Sequence, residues 1–480
     1  MVYRGAALRL QHTATPAVMI SWQIIAIVVA GLSLAWLIGN APAPIVLGAV
    51  LAFVLVVIFM ERPDIGVLLL LLVRASTDAS LGSFSSGLPS QQRLIGLLLS
   101  PNSALILILI VGGGLFLLRR GLRASSLPVA HVYGFLLLIG VIGVLRADNL
   151  VSSLYEWLRT ASALIIYALV VNLFRNPERI QRAVDILAGS FVLPAIFGFY
   201  ELALGQGRFL SSIGARRIDG TFGHPNPYGV YLLIVLSVFL CQALTQSGKR
   251  KWLSLSIVAA SSMLLVATYA RSVWVGLVVV LVVVGVFQGR RLLLLAPLIL
   301  VAALRAIPSI GARLENPMSG SFANRQGIWE TLFQQWTYVT SQSQSSVAIA
   351  LDRLTGLGPG SFVPLMSLSQ SAVAAPHNDY LRVLIESGIF GLVLFILLYV
   401  ILIRLAYRTW RRSSGPMAAL ALSLLAVTLA YSLMSITDNL FAMTANQVYF
   451  WALAGLVTAI SEIRDGNDAS PSGGQQGELA

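Results

Sequence analysis

His377 stands in the stretch Ala374-Ala375-Pro376-His377-Asn378-Asp379-Tyr380-Leu381, after which the chain passes Glu386, Ser387 and Gly388 into a long apolar segment. An imidazole has an unperturbed pKa near ~6.5. At the mouth of a membrane helix it can take a proton from an attacking hydroxyl at neutral pH, and it can equally cap or pack that helix end. Arginines occur at three further places, two where the chain enters or leaves an apolar run and one on a helical stretch of a long loop. Arg217 lies in Arg216-Arg217-Ile218-Asp219-Gly220-Thr221-Phe222-Gly223-His224-Pro225-Asn226-Pro227, Arg271 in the short link Thr268-Tyr269-Ala270-Arg271-Ser272, and Arg325 in Asn324-Arg325-Gln326-Gly327-Ile328-Trp329. A guanidinium suits phosphate because its planar fork makes two aligned, charge-assisted hydrogen bonds. Each has a plainer use as well: an Arg217–Asp219 surface pair, snorkelling of Arg271 to lipid headgroups, simple solvation of Arg325. Glu156 and Arg159, one helical turn apart within an apolar run, read equally as a structural ion pair and as a substrate contact.

The elements that must position these groups are membrane helices. The 480 residues are 57% hydrophobic and 11% charged, with a mean hydropathy of +0.84, outside the range of soluble domains. Apolar runs near 20–39, 43–60, 64–74, 102–118, 129–145, 150–172, 183–204, 228–246, 252–268, 273–288, 291–306, 385–403, 417–436 and 441–460 predict an all-α polytopic membrane protein. It has about fourteen spans, the third short for a ~30 Å hydrocarbon core. Arg4 and Arg9 precede the first run with no small-residue cleavage site, which predicts a retained first span. Residues 1–460 read as one integral membrane domain, and 461–480, rich in Gly, Ser, Gln and Asp, as a disordered cytoplasmic tail.

Basic clusters at Arg119/Arg120/Arg123, Arg175/Arg179/Arg182, Lys249/Arg250/Lys251, Arg290/Arg291 and Arg404/Arg408/Arg411/Arg412 fall on alternate connections. The positive-inside bias then makes that face cytoplasmic, puts both termini there, and accounts for most of the net charge of +13 without nucleic acid. The outer face receives 74–100, 205–227, the 269–272 turn and the longest loop, about 307–384. In that loop Phe322, Ile328, Trp329, Leu332, Phe333 and Trp336 recur at helical spacing, predicting an amphipathic helix on the membrane surface. Gly356-Leu357-Gly358-Pro359-Gly360-Ser361-Phe362 is a turn-rich segment with no strand before it, which argues against a nucleotide-binding fingerprint. Asp-x-Asp on the outer face, His-Glu-x-x-His, the P-loop and Gly-x-Ser-x-Gly are all missing from the sequence. The single cysteine, Cys241, excludes an internal disulfide and a thiolate metal cage. No metal and no cofactor are expected.

Taken in order, Arg217-x-x-Gly220-Thr221-Phe222-Gly223-His224-Pro225-Asn226, Arg271-Ser272 with Gly276, Arg325 with Trp329, Gly356-x-Gly358-Pro359-Gly360-Ser361-Phe362, and His377-Asn378-Asp379-Tyr380-Leu381 with Glu386, Gly388 and Gly391 resemble the O-antigen ligase-related family of bacterial membrane glycosyltransferases. The resemblance covers about 200–400. It implies transfer of a glycan from a polyprenyl diphosphate carrier to a sugar hydroxyl outside the cytoplasmic (inner) membrane. The acceptor would be a second lipid-linked glycan for a polymerase of O-antigen or exopolysaccharide, or a lipid A core for a ligase. By resemblance Arg217 and Arg271 hold the diphosphate with help from Arg325, and His377 is the base. Arg159, His224, Asn226, Asn378 and Glu386 are candidates for supporting contacts. The alternative from another class is a transporter or flippase for a phosphate-bearing or lipid-linked sugar, whose cations would line a pathway in mid-span.

The orientation carries its own test. In a Cys241→Ser background, a cysteine placed at Ser319 is expected to react with a membrane-impermeant reagent from outside, and one at Ser247 is not. Labelling of both from the same side would overturn the assignment.

Overall fold

A computed structural model gives the architecture and describes residues 57–59, 61–77, 101–121, 127–147, 149–210, 214–290, 293, 322–342, 345–362, 365 and 376–468. All but the first of these fall in one compact unit, Ile58–Ala480. Its helices are α1 (Pro63–Val73), α2 (Pro101–Ile108) and α3 (Gly114–Arg120) joined by a π turn, α4 (Leu127–Leu145), α5 (Leu150–Leu173) and α6 (Pro177–Ala203). Then come α7 (Pro225–Thr245), α8 (Gly248–Ala267), α9 (Arg271–Phe287), α10 (Phe322–Ser341), α11 (Ser346–Thr355), α12 (Asp379–Arg412), α13 (Gly415–Met434) and α14 (Thr444–Asp468). Between α6 and α7 lies a departure from the all-helical reading, an antiparallel pair of strands, β1 (Arg208–Leu210) and β2 (Ala215–Arg217).

Among the described residues seven helices, α4 to α8, α12 and α13, are long and apolar enough to cross a membrane. The runs expected at 64–74, 102–118, 273–288 and 441–460 are helical but fall outside that group. α1 has 11 residues, the π turn interrupts the second, α9 has 17 residues, and α14 opens on the polar turn Thr444–Gln447. The expected spans at 20–39, 43–60 and 291–306 lie outside the described residues apart from 57–59 and 293. Residues 461–468, expected in the tail, are the last part of α14, and the rest of the expected tail lies outside the described residues.

α7 forms the axis of the bundle. Of its apolar window 89% is buried, as suits a segment with no charged residue that is apolar all round. Its few polar groups are matched inside: Tyr228 Oη donates to Pro194 O (2.8 Å), Tyr231 Oη lies 2.9 Å from Ser190 Oγ, and Gln242 Nε2 donates to Pro416 O (3.1 Å). α9 packs close against α7 and α13 at Gly276, where a Cβ would stand 2.7 Å from Leu233 Cδ2 and 2.4 Å from Met434 Sδ.

The segment after α11 interlocks with a break in α12. Gly388 adopts φ 67°, ψ −166°, a conformation confined in practice to glycine, and this interrupts the helix. The carbonyls of Ile385 and Glu386 accept instead from the N–H groups of Leu357 (2.9 Å) and Gly358 (3.0 Å), and Glu386 Oε1 accepts from Gly360 N–H (2.9 Å). The approach is so close that a Cβ on Gly356 would stand 2.4 Å from Ser387 N, and one on Gly358 2.6 Å from Gly143 O. The glycine-rich motif is therefore the plug of a broken helix.

The periodic helix predicted over 322–338 is present as α10, but its apolar stripe turns into the protein. Leu332 and Trp336 pack with Phe362, Leu365 and Ile385. The start of α12, through Leu381, Leu384 and Ile385, offers that stripe an apolar protein surface in place of lipid.

Gly388→Ala and Gly356→Ala are each expected to lower the unfolding temperature in detergent, since the backbone conformation alone costs on the order of 1–3 kcal/mol and the clash adds to it. Gly134→Ala, where a Cβ meets nothing within 4 Å, is the control. Equal unfolding temperatures for all three would contradict the interlock.

Candidate active site

The turn between α13 and α14 holds a carboxylate that the sequence reading did not single out. Asp438 is 2% exposed, and a charge so placed needs donors around it. Its Oδ2 accepts from Asn226 Nδ2 and Ser272 Oγ, both at 2.9 Å. Its Oδ1 accepts from the Asn439 N–H at 3.0 Å and lies 3.7 Å from His377 Nδ1, a charge contact longer than a hydrogen bond. Burial pushes the Asp438 carboxyl up, but His377, the Asn439 N–H and Arg325 outweigh it and hold the group below its usual value. It is an anion at neutral pH.

His377 is presented to this carboxylate by a backbone pinned on both sides. Its φ of 50° is left-handed, uncommon for any residue but glycine, although histidine is among those that enter the region. Trp329 Nε1, from α10, donates to Pro376 O (2.7 Å), and the Asn378 N–H donates to Asn439 Oδ1 (3.1 Å). Asn378 also caps α12 by accepting from the Leu381 N–H (3.0 Å). One residue on, the fully buried Asp379 accepts at Oδ2 from Ser435 Oγ and the Phe441 N–H, both at 3.0 Å, so the His377 turn and the Asp438 turn are fastened together. The imidazole remains about one-third exposed.

The expected arginines converge here. Arg217, at the end of β2, donates from Nη2 to Asn226 Oδ1 and from Nε to Thr268 O, both 2.7 Å, and is thereby one side chain removed from Asp438. Glu201 supports this loop from the end of α6, its Oε2 accepting from the N–H groups of Asp219 (2.9 Å) and Gly220 (2.8 Å). Arg271 is the first residue of α9, beside the Ser272 that binds Asp438. Tyr269, two residues earlier, is the other described non-glycine with left-handed backbone, φ 50°. Arg325 on α10 donates to Thr437 O (2.6 Å), next to Asp438. His224 is the N-cap of α7: its Nδ1 accepts from the Asn226 N–H at 3.2 Å. Burial together with Arg208 and Arg217 pushes its imidazole down to about 4, against a smaller opposing pull from Asp438.

Arg159 and Glu386 belong to a second polar centre. Arg159 pairs with Glu156 and donates to Ala442 O. Arg382, 3% exposed, pairs with Glu156 at 2.8 Å and Glu386 at 3.2 Å, and lies over the Phe362 ring at 4.9 Å. Glu156 and Arg159 are thus paired within this network, which holds the glycine-rich plug against α5 and α12, aided by the Arg146–Asp352 pair. Arg382 also escaped the sequence reading, although it follows directly on His377-Asn378-Asp379-Tyr380-Leu381.

A site with three arginines near one carboxylate and a partly open imidazole can bind an anion with more than one negative charge and accept a proton beside it. The depressed His224 has a consequence for stability. Between about pH 6.5 and about pH 4 the unfolded chain binds a proton that the folded chain refuses, so stability falls as pH falls through that window. His224→Asn, which retains a cap, is expected to remove that part of the slope, so the wild type loses unfolding temperature relative to the variant on acidification. Parallel curves would contradict the burial of a neutral His224.

Comparison with curated proteins finds no match to this chain. Arg217, His224, Asn226 and Asp438 lie outside the stretch that a family comparison covers. Residues 255–396, which carry Arg271, Arg325, His377 and Glu386, match the family model described as O-antigen ligase.

Proposed function

We propose that the protein moves a glycan from a polyprenyl (undecaprenyl) diphosphate carrier to a sugar hydroxyl on the extracytoplasmic face of the bacterial inner membrane, as an O-antigen ligase or a surface polysaccharide polymerase. The observation that carries this reading is the meeting of Arg217, through Asn226, of Ser272 beside Arg271, of Arg325 through Thr437, and of His377 at the Asp438 turn. The family match supports a glycosyltransferase of this type.

In this reading the acceptor hydroxyl attacks the anomeric carbon as the bond to the phosphate oxygen breaks, and the diphosphate leaves with the electron pair. Arg217, Arg271 and Arg325 neutralise the charge that develops there, fixed cations being most effective where water is scarce. His377 takes the hydroxyl proton at Nε2, while Nδ1 faces Asp438, whose negative charge favours the imidazolium that forms. Attack opposite the departing diphosphate inverts the anomeric configuration.

Purified full-length protein with a synthetic lipid-linked donor and a glycan or lipid A core acceptor tests this. His377→Ala is expected to fold and bind donor but to lose transfer by about 10²–10⁴-fold. Arg217→Ala and Arg271→Ala are expected to weaken donor engagement by roughly tenfold or more, with poor rescue by lysine. Chain elongation identifies a polymerase and a single capped product a ligase. Full transfer by His377→Ala, or movement of donor across vesicles with no new glycosidic bond, would overturn the reading in favour of a flippase.

A further inference from the structure

The hairpin that carries Arg217 sets a second arginine directly across from it. In the β1–β2 register Arg208 is the partner of Arg217 and Phe209 the partner of Arg216. Directly opposed side chains share one face of a strand pair, and neighbours alternate. Arg216 accordingly lies on the other face, over the Phe209 ring at 5.9 Å, with its Nη1 donating to Gly207 O at 3.2 Å. Arg208 is exposed, and among the described residues no carboxylate or carbonyl meets its guanidinium. Like charges directly opposite one another destabilise a strand pair, so the register puts Arg208 where an anion between the strands' side chains would relieve it.

Two further features keep Arg208 in place. Gly207 has φ 107°, and a Cβ there would stand 2.4 Å from Arg217 O, so a side-chain-free residue lets β1 close onto β2 just ahead of Arg208. On the other side, Arg208 and Arg217 both help to hold the His224 imidazole below its usual value. By its register Arg208 shares a strand face with Arg217, which reaches the candidate active site through Asn226.

We infer that Arg208 is a further donor-binding residue, closing with Arg217 from opposite strands on the diphosphate of the lipid-linked glycan. The inference rests on the donor reading given above and adds to it a residue outside the family match. In free protein the register sets two like charges opposite one another, and bound donor turns the pair into a two-sided clamp. Planar forks from two strands also favour a diphosphate, with oxygens on two phosphorus atoms, over a single phosphate.

The test uses full-length protein in nanodiscs of zwitterionic lipid, with donor affinity measured for Arg208→Ala, Arg216→Ala and Arg217→Ala. The first two remove the same charge from opposite faces of one hairpin. Arg208→Ala is expected to weaken donor binding about tenfold or more, with kcat at saturating donor held within about twofold. Arg216→Ala is expected to bind as the wild type does. Without donor, Arg208→Ala should unfold at the same temperature as the wild type or higher, because a repulsion is gone, which a merely structural arginine would not show. Equal, small effects of Arg208→Ala and Arg216→Ala beside a large effect of Arg217→Ala would overturn the inference and leave the donor site standing. No effect of Arg217→Ala either would withdraw the donor reading itself. An Arg208→Ala effect seen only in nanodiscs containing phosphatidylglycerol would assign Arg208 to bulk lipid headgroups and overturn it too.

Discussion

A carboxylate withdrawn from water costs several kcal/mol unless donors surround it, and in this protein that requirement falls on Asp438. Its partners come from far apart in the chain: Asn226 at the head of α7, Ser272 at the head of α9, and His377 just before α12. Three helix ends are thereby fixed to one point, and the arginines attached to those ends, or packed over the turn itself, arrive with them. Losing Asp438 would unfasten the geometry and leave cations facing one another. A positive site held around one buried negative charge remains attractive to a polyanion, because a single carboxylate does not cancel three guanidinium groups.

The backbone around this point holds conformations that would not survive alone. His377 and Tyr269 are both left-handed, and each lies two residues before a helix start at the candidate site. Such strain, on the order of 1–3 kcal/mol each, persists when the surroundings over-determine it. At His377 the over-determination is visible in the bonds from Trp329, Asn439, Ser435 and Phe441 to residues 376–379 and their side chains. The break at Gly388 lies within the same helix, and the Arg382 network secures the plug that fills it. The site end of α12 is thus tied at His377 and Asp379 to the turn between α13 and α14, at Arg382 to α5 and at Glu386 to the glycine-rich segment.

Much of the site could be read before the fold was known, for a physical reason. Arg217, Arg271 and His377 are polar groups at the ends of apolar runs, where membrane insertion makes each one conspicuous, while Arg325 was legible as part of the periodic helix in the long loop. Asp438 was not legible, since a lone acidic residue in a short turn between two apolar runs looks like any solvated turn, and only the fold shows that the turn is buried. Arg159 and Glu386 were legible as intramembrane charges, but sequence spacing could not show that Arg382 draws both into a separate network. The glycine-rich segment read as a turn, and its partner, the helix break at Gly388, becomes evident only when the two are side by side. Arg208 carries no motif at all, and its placement follows from a strand register in a segment that read as loop.

The central claim is that the groups gathered at Asp438 form one site for a lipid-linked diphosphate. A cryo-electron microscopy structure of the full-length protein with a polyprenyl-diphosphate-linked glycan tests it most directly. The account predicts density for both phosphates among Arg217, Arg271 and Arg325, with the anomeric carbon turned toward His377. Phosphate density at the other end of the helices, or a glycan whose anomeric carbon lies far from His377, would contradict it.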